Sequence, residues 1–157
     1  MKQLTLIRHA QAIDKSENID DHDRLLTPKG IKQSKELPKI LKKLDIKPQY
    51  LMSSTAVRCI ETAKKLCDKF DLILHTDESL YFQWIDAYME VMRNVSEDIQ
   101  YLAIVWHNDD MTELIITLLD NDFPSVAKWS ATVIEFDIDS WSQISNITGK
   151  LKYYITC

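Results

Sequence analysis

Glycine is nearly missing from this chain: Gly30 and Gly149 are the only two in 157 residues. A dinucleotide-binding turn or a P-loop needs several glycines at fixed spacing, so neither can be built here. Any anion must be held by side chains. Cysteine is also scarce, and Cys59, Cys67 and Cys157 form an odd set with no C-x-x-C pair, which argues against a disulfide framework or a zinc knuckle. No apolar run approaches the ~20 residues of a membrane span. The apolar part of MKQLTLIRHAQA meets Arg8 too early for a signal peptide. Positive charge is in the minority, with a net charge of −5, which argues against broad nucleic-acid or anionic-membrane binding. These absences predict a cytoplasmic, monomeric protein whose positive site, if it has one, is a local cluster.

What remains is an ordinary globular composition, 45% hydrophobic and 27% charged, with room for one domain over residues 1–157. Short apolar runs alternate with amphipathic ones. Leu4 to Ile7 reads as a buried strand, then Thr27-Pro28 opens a helix to about Leu44, with Thr27 as N-cap and Pro38 as a kink. Leu26 and Ile31 stand where a hydrophobic staple would put them. Strands follow at Tyr50–Met52, Leu72–Leu74, Tyr101–Val105, Ala131–Phe136 and Lys152–Ile155. Helices are expected over Thr55–Lys69, Phe82–Asn94 and the stripe Met111, Leu114, Ile115, Leu118, Leu119. The alternation predicts an α/β fold, a three-layer sandwich with a mostly parallel central sheet.

Open α/β sheets bind ligands beyond the carboxyl ends of their strands. The first strand ends in Arg8 and His9; the second ends in Ser53 and Ser54, with Arg58 one turn on; the run ending at Val105 continues as Trp106, His107, Asn108. Arginine is permanently charged and its planar fork matches phosphate. Arg58 near a helix N-terminus opposes the macrodipole, a conflict that an anion bound there would resolve. Histidine adds a nucleophilic ring nitrogen or another donor. Two arginines and two histidines converging on one point would form a phosphate site with a nucleophile inside it.

These segments resemble a known family. Leu6-Ile7-Arg8-His9-Ala10 is similar to the R-H-G signature of the histidine phosphatase superfamily, and Arg24-Leu25-Leu26-Thr27-Pro28-Lys29-Gly30 to its R-x-L-T-x-x-G segment. Ser53-Ser54-Thr55-Ala56-Val57-Arg58-Cys59-Ile60-Glu61-Thr62-Ala63 resembles its S-x-x-x-R-x-x-x-T-A helix, and Val105-Trp106-His107-Asn108 its second-histidine turn. The likeness runs from Leu4 to about Leu119, and the short chain is most similar to SixA-type phosphohistidine phosphatases. It implies a phosphoglycerate mutase-like fold and a phosphatase that needs no metal or cofactor. His9 would be the nucleophile that becomes phosphorylated. Arg8 and Arg58 would hold the phosphoryl oxygens, His107 would donate to the same group, and Arg24 would be a further ligand for phosphate or substrate.

Ala10 replaces the usual glycine, Trp106 stands where a small residue is common, and Asp109-Asp110 bring negative charge near the site. The stretch from Thr76 to Gln100 is too short for a lid insert, which suits a phosphoryl group presented on a protein surface. Glu78 and Asp86 are the nearest proton-donor candidates. The alternatives are a phosphatase for small phosphomonoesters and a non-catalytic phosphate-recognition module. His22 and His75 read as surface residues, Cys59 and Cys67 as packing residues, and Trp84, Trp129 and Trp141 as core or rim aromatics. The lysines from Lys29 to Lys47 read as a solvated helix face.

Overall fold

The computed structural model describes residues 1–146 and 148–156; Cys157 lies outside them. Six strands form one sheet: β1 Lys2–Arg8, β2 Tyr50–Ser54, β3 Leu74–Asp77, β4 Tyr101–Trp106, β5 Ser130–Phe136 and β6 Gly149–Thr156. Their order across the sheet is β3-β2-β4-β1-β5-β6. The pairings β1–β4, β2–β4 and β2–β3 are parallel, while β5 runs antiparallel to both β1 and β6. Only β5 therefore opposes the common direction.

Four helices complete the layers: α1 Pro28–Lys43, α2 Val57–Phe70, α3 Ile85–Arg93 and α4 Asn108–Leu119. Strand side chains alternate between two cores. Leu102, Ile104 and Trp106 of β4 join Met89 and Met92 of α3 and Leu114 and Leu118 of α4. Ala103 and Val105 of the same strand join Leu37 and Leu41 of α1 and Cys59, Ala63 and Leu66 of α2. The sheet is thus covered by α3 and α4 on one face and by α1 and α2 on the other. No described helix is long and apolar enough to cross a membrane.

Helix α1 begins as expected, with the Thr27 hydroxyl accepting from the Gly30 N–H at 3.0 Å. Of the staple pair, Leu26 is buried and Ile31 is 42% exposed. With so little glycine, left-handed backbone falls mostly to aspartate, with Phe82 and Trp129 the other described residues there. Asp71 caps α2 at φ 54°, Asp120 caps α4 at φ 53°, and Asp45 follows α1 at φ 58°. A short polar side chain tolerates that region better than most. Gly30 serves a different need, because a Cβ there would lie 2.0 Å from the Gln11 carbonyl oxygen. That close approach lets α1 press on the loop leaving β1, where the Thr27 N–H also bonds the Gln11 carbonyl at 2.9 Å.

Candidate active site

Topology places the motifs side by side. β2, β4 and β1 are adjacent in the sheet centre and parallel, so their carboxyl ends stop together. The His9 N–H donates to the Trp106 carbonyl at 3.1 Å, setting His9 beside His107, with ring centroids 5.7 Å apart. Helix α2 starts above the same edge, its Ala56 N–H donating to Ser54 Oγ at 3.3 Å. Arg58 in that first turn is 1% exposed. Two other motif residues tie loops to α2: Thr62 Oγ1 accepts from the Ala10 N–H at 3.1 Å, and Glu61 Oε2 accepts from the Leu26 N–H at 2.7 Å.

Hydrogen bonds fix both tautomers. The carbonyl of Ala10 can only accept, so His9 Nδ1, 2.7 Å away, carries the proton. His9 Nε2 is then a bare lone pair, and the Arg58 Nε–H donates to it at 3.3 Å. His107 is arranged the other way round. Its Nδ1 accepts from Arg58 Nη2 at 3.1 Å, and its Nε2–H donates to Ser54 Oγ at 2.9 Å. Burial, reinforced by the charges of Arg58, Arg8 and Arg24, lowers the pKa of His9 to about 4 against a raising hydrogen bond to Ala10. Burial, then Arg58 and His9, lowers that of His107 to about 3. Both rings are neutral at neutral pH. Beside them, burial pushes the Cys59 thiol up to about 12, which leaves it a packing residue.

The anion that Arg58 calls for is supplied by the chain itself. Arg58 Nη2 donates to Asp21 Oδ2 at 3.0 Å, and Nη1 donates to the Asp21 backbone carbonyl. The Tyr81 hydroxyl donates to the same Oδ2 at 3.0 Å, and Arg24 Nε donates to Oδ1 at 3.0 Å. Burial works to raise the Asp21 pKa, but the Arg58 charge, the Tyr81 and Arg58 hydrogen bonds and Arg24 outweigh it, so the carboxylate stays below its usual range. Asp21 and Tyr81 were not singled out from the sequence. The available signal was the unbalanced charge of Arg58 in the first turn of a helix.

The remaining candidates fall at different distances from this centre. Arg8 leaves the same strand end as His9, and its Nη1 donates to the Val126 carbonyl at 2.6 Å. Arg24 reaches the cluster through Asp21 and also donates to the Ile13 carbonyl at 2.7 Å. Ala10 is buried and is not among the residues with positive φ, so it replaces glycine without strain. Trp106 neither narrows nor lines the site: it is fully buried, edge-on to Tyr88 with centroids 3.8 Å apart. Glu78 borders a shallow cleft with His22, Thr55 and Tyr81, while Asp86 borders a groove with Phe82 and Trp84. The Asp109 side chain lies outside what is described. Phe82, also unforeseen, stacks on His107 at 4.9 Å between centroids.

The family model of the histidine phosphatase superfamily (branch 1) matches residues 4–112. No curated protein sequence matches. Among solved structures, the SixA protein of Agrobacterium tumefaciens superposes with a TM-score of 0.84 at 19% identity, over 99% of this chain and 99% of that one. The SixA protein of Nakamurella multipartitia gives 0.82 at 20% identity, over 98% and 94%. A mycobacterial glucosyl-3-phosphoglycerate phosphatase gives 0.75 at 16% identity, over 99% of each chain. At such identities the structures share a fold. The matched segment contains Arg8, His9, Arg24, Arg58 and His107, and the chain belongs to the histidine phosphatase superfamily.

Proposed function

We propose that the protein is a phosphatase that works through a phosphohistidine on His9, and that its substrate is a phosphohistidine on another protein. The observation that carries the reading is the bare Nε2 of a neutral His9, held 3.3 Å from the Arg58 guanidinium. In the first step the Arg58 Nε–H gives up its hydrogen bond to this lone pair, which attacks phosphorus while the substrate's P–N bond breaks and its imidazole departs. Arg8 and Arg58 offset the charge on the equatorial oxygens, which is the main task in phosphoryl transfer. Burial and then the arginine charges depress His107; a bound phosphoryl dianion opposes both, so His107 can take a proton and donate to the phosphoryl group. Water then attacks the phosphorus on His9, releasing inorganic phosphate and restoring the neutral ring.

The choice of phosphohistidine over an alkyl phosphoester follows from the leaving group. A protonated imidazole departs neutral, whereas an alkoxide needs a proton delivered to it. Asp21, the carboxylate in contact with Arg58, is held ionised and is not a proton donor at neutral pH. The stretch between β3 and β4 holds only α3 and a short turn at Glu78–Leu80, leaving the site open to a macromolecular surface. Its fold likeness to a glucosyl-3-phosphoglycerate phosphatase makes small phosphomonoesters the second reading.

The test offers a phosphohistidine protein, free phosphohistidine and an aryl phosphate to the wild type and to His9→Ala. The proposal expects phosphohistidine turnover that drops by at least ~10³ in the variant, with phosphate trapped on His9. Turnover of aryl or sugar phosphates alone selects the second reading. Phosphate binding without any turnover selects a recognition module.

A further inference from the structure

Beside the catalytic pair lies a groove of about 490 Å³, lined by Phe82, Gln83, Trp84, Ile85, Asp86, Asp110 and Glu113. It abuts His107, on which Phe82 stacks. Three features set it apart from ordinary surface. Its wall is built: the hydroxyl of Tyr88, a residue 1% exposed behind the groove, accepts from the Gln83 N–H at 2.7 Å and donates to Asp110 Oδ2, and both partners line the groove. Beneath it Trp106 packs edge-on to the Tyr88 ring. One hydroxyl therefore pins the loop before α3 to the first turn of α4.

Its rim is apolar and uncovered. Trp84 is 86% exposed and Phe82 52%, and Phe82 holds φ at 47°, a region bulky residues avoid. Exposed tryptophan is costly in solution and frequent at the centre of binding interfaces. Finally, among the described residues every charged one lining the groove is acidic. Trp84 caps α3 through its backbone alone, with no side-chain cap bond, so the indole is not explained by the helix.

We propose that this groove is the docking surface for the protein that delivers the phosphoryl group, and that it takes a segment with apolar and basic side chains flanking the phosphorylated residue. The occupant's charge follows from complementarity to Asp86, Asp110 and Glu113, and its apolar part from Phe82, Trp84 and Ile85. Contiguity with His107 places the phosphorylated side chain at the catalytic centre. The inference rests on the phosphatase reading but answers to a separate readout.

The experiment uses two histidine-phosphorylated peptides of equal length, one flanked by Lys and Leu and one by Glu and Ser, with phosphoramidate as the small probe. Each is offered to the wild type, Trp84→Ala and Glu113→Lys, and binding of dye-labelled unphosphorylated peptides is followed by anisotropy. The wild type is expected to prefer the basic-apolar peptide by at least ~10-fold in kcat/KM, about 1.4 kcal/mol. Both variants should lose most of that preference and of the binding, while phosphoramidate turnover stays within about twofold, since neither residue touches His9 or Arg58. Equal use of both peptides by the wild type, or a fall of all three substrates together, overturns the docking role. Absence of all turnover, with peptide binding still lost in Trp84→Ala, overturns the phosphatase reading and leaves the groove standing.

Discussion

His107 has two unlike neighbours. On one side, Arg58, Asp21, Tyr81 and Arg24 form a network in which the Asp21 carboxylate meets both arginines and the Tyr81 hydroxyl at 3.0 Å. On the other, Phe82 stacks on the ring while half exposed, and Trp84, two residues on, stands in solvent. The first arrangement is what buried charge demands, because an uncompensated ion in a poorly solvated place costs several kcal/mol. The second leaves apolar area open that folding alone would cover. Under the proposed function the difference separates two tasks at one site: the network would fix where a phosphoryl group is held, and the aromatic edge would decide what presents it.

Among changes to the surroundings of His107, the largest expected effect comes from the network. Arg58→Ala removes a donor to His9, His107 and Asp21 together. The expected loss is ~10²–10³ in kcat/KM, the scale for deleting one donor to a developing oxyanion. NMR titration should also show both histidines moving up from about 4 and about 3, because Arg58 helps to hold them down. If Trp84→Ala costs phosphoramidate turnover as much as Arg58→Ala does, the division of tasks fails.

The same network sets an acid limit. A histidine that is neutral when folded but protonated when unfolded makes the unfolded state bind more protons, so stability falls as pH falls. The window opens below the ordinary value of 6.5 and closes near the folded values of about 4 and about 3. Each unit of depression is worth about 1.4 kcal/mol, so the coupled pair is expected to remove several kcal/mol across that window. Urea melts at pH 7, 5.5 and 4.5 measure it. An unchanged midpoint would mean that the rings are not held neutral.

Much of this site was legible because it follows from the sheet. Arg8-His9, Ser53-Ser54 with Arg58, and His107 each end an apolar run, and adjacent parallel strands bring such ends together. The edge strand was harder to read: Leu72–Leu74 was expected, but β3 is Leu74–Asp77. Its half-buried side chains reflect pairing with β2 alone and give no apolar run. Helix α3 starts at Ile85 rather than Phe82, since Phe82 holds left-handed backbone at φ 47° and Trp84 is extended. Asp21 was hidden differently. In Asp20-Asp21-His22-Asp23 the carboxylates look alike, and what singles out Asp21 is a partner 37 residues away.

A smaller effect is expected from Asp21→Asn. The carboxylate takes one of the Arg58 Nη2 hydrogens, and neutralising it leaves the site more positive toward the phosphate of the proposed reaction. Inhibition by inorganic phosphate should tighten by about tenfold, equivalent to about 1.4 kcal/mol. The pKa of His107 should fall further, because Asp21 acts to raise it. Weaker phosphate inhibition would instead make Asp21 chiefly the residue that aims Arg58.

The smallest change in stability, and the sharpest test of the boundary, belongs to Phe82→Gly. Glycine accepts the φ of 47° and recovers roughly 1–2 kcal/mol of left-handed strain. It also forfeits the stack on His107, worth about 0.5–1.5 kcal/mol. The two nearly cancel, so thermal denaturation should move by no more than a few degrees in either direction. The titration of His107 should move much more. Removing the ring at 4.9 Å admits water to an imidazole whose depression comes first from burial, and its pKa should climb toward 6.5. A large change in stability with His107 still near 3 would make Phe82 a packing residue of the core, and the two sides of His107 would no longer be separable.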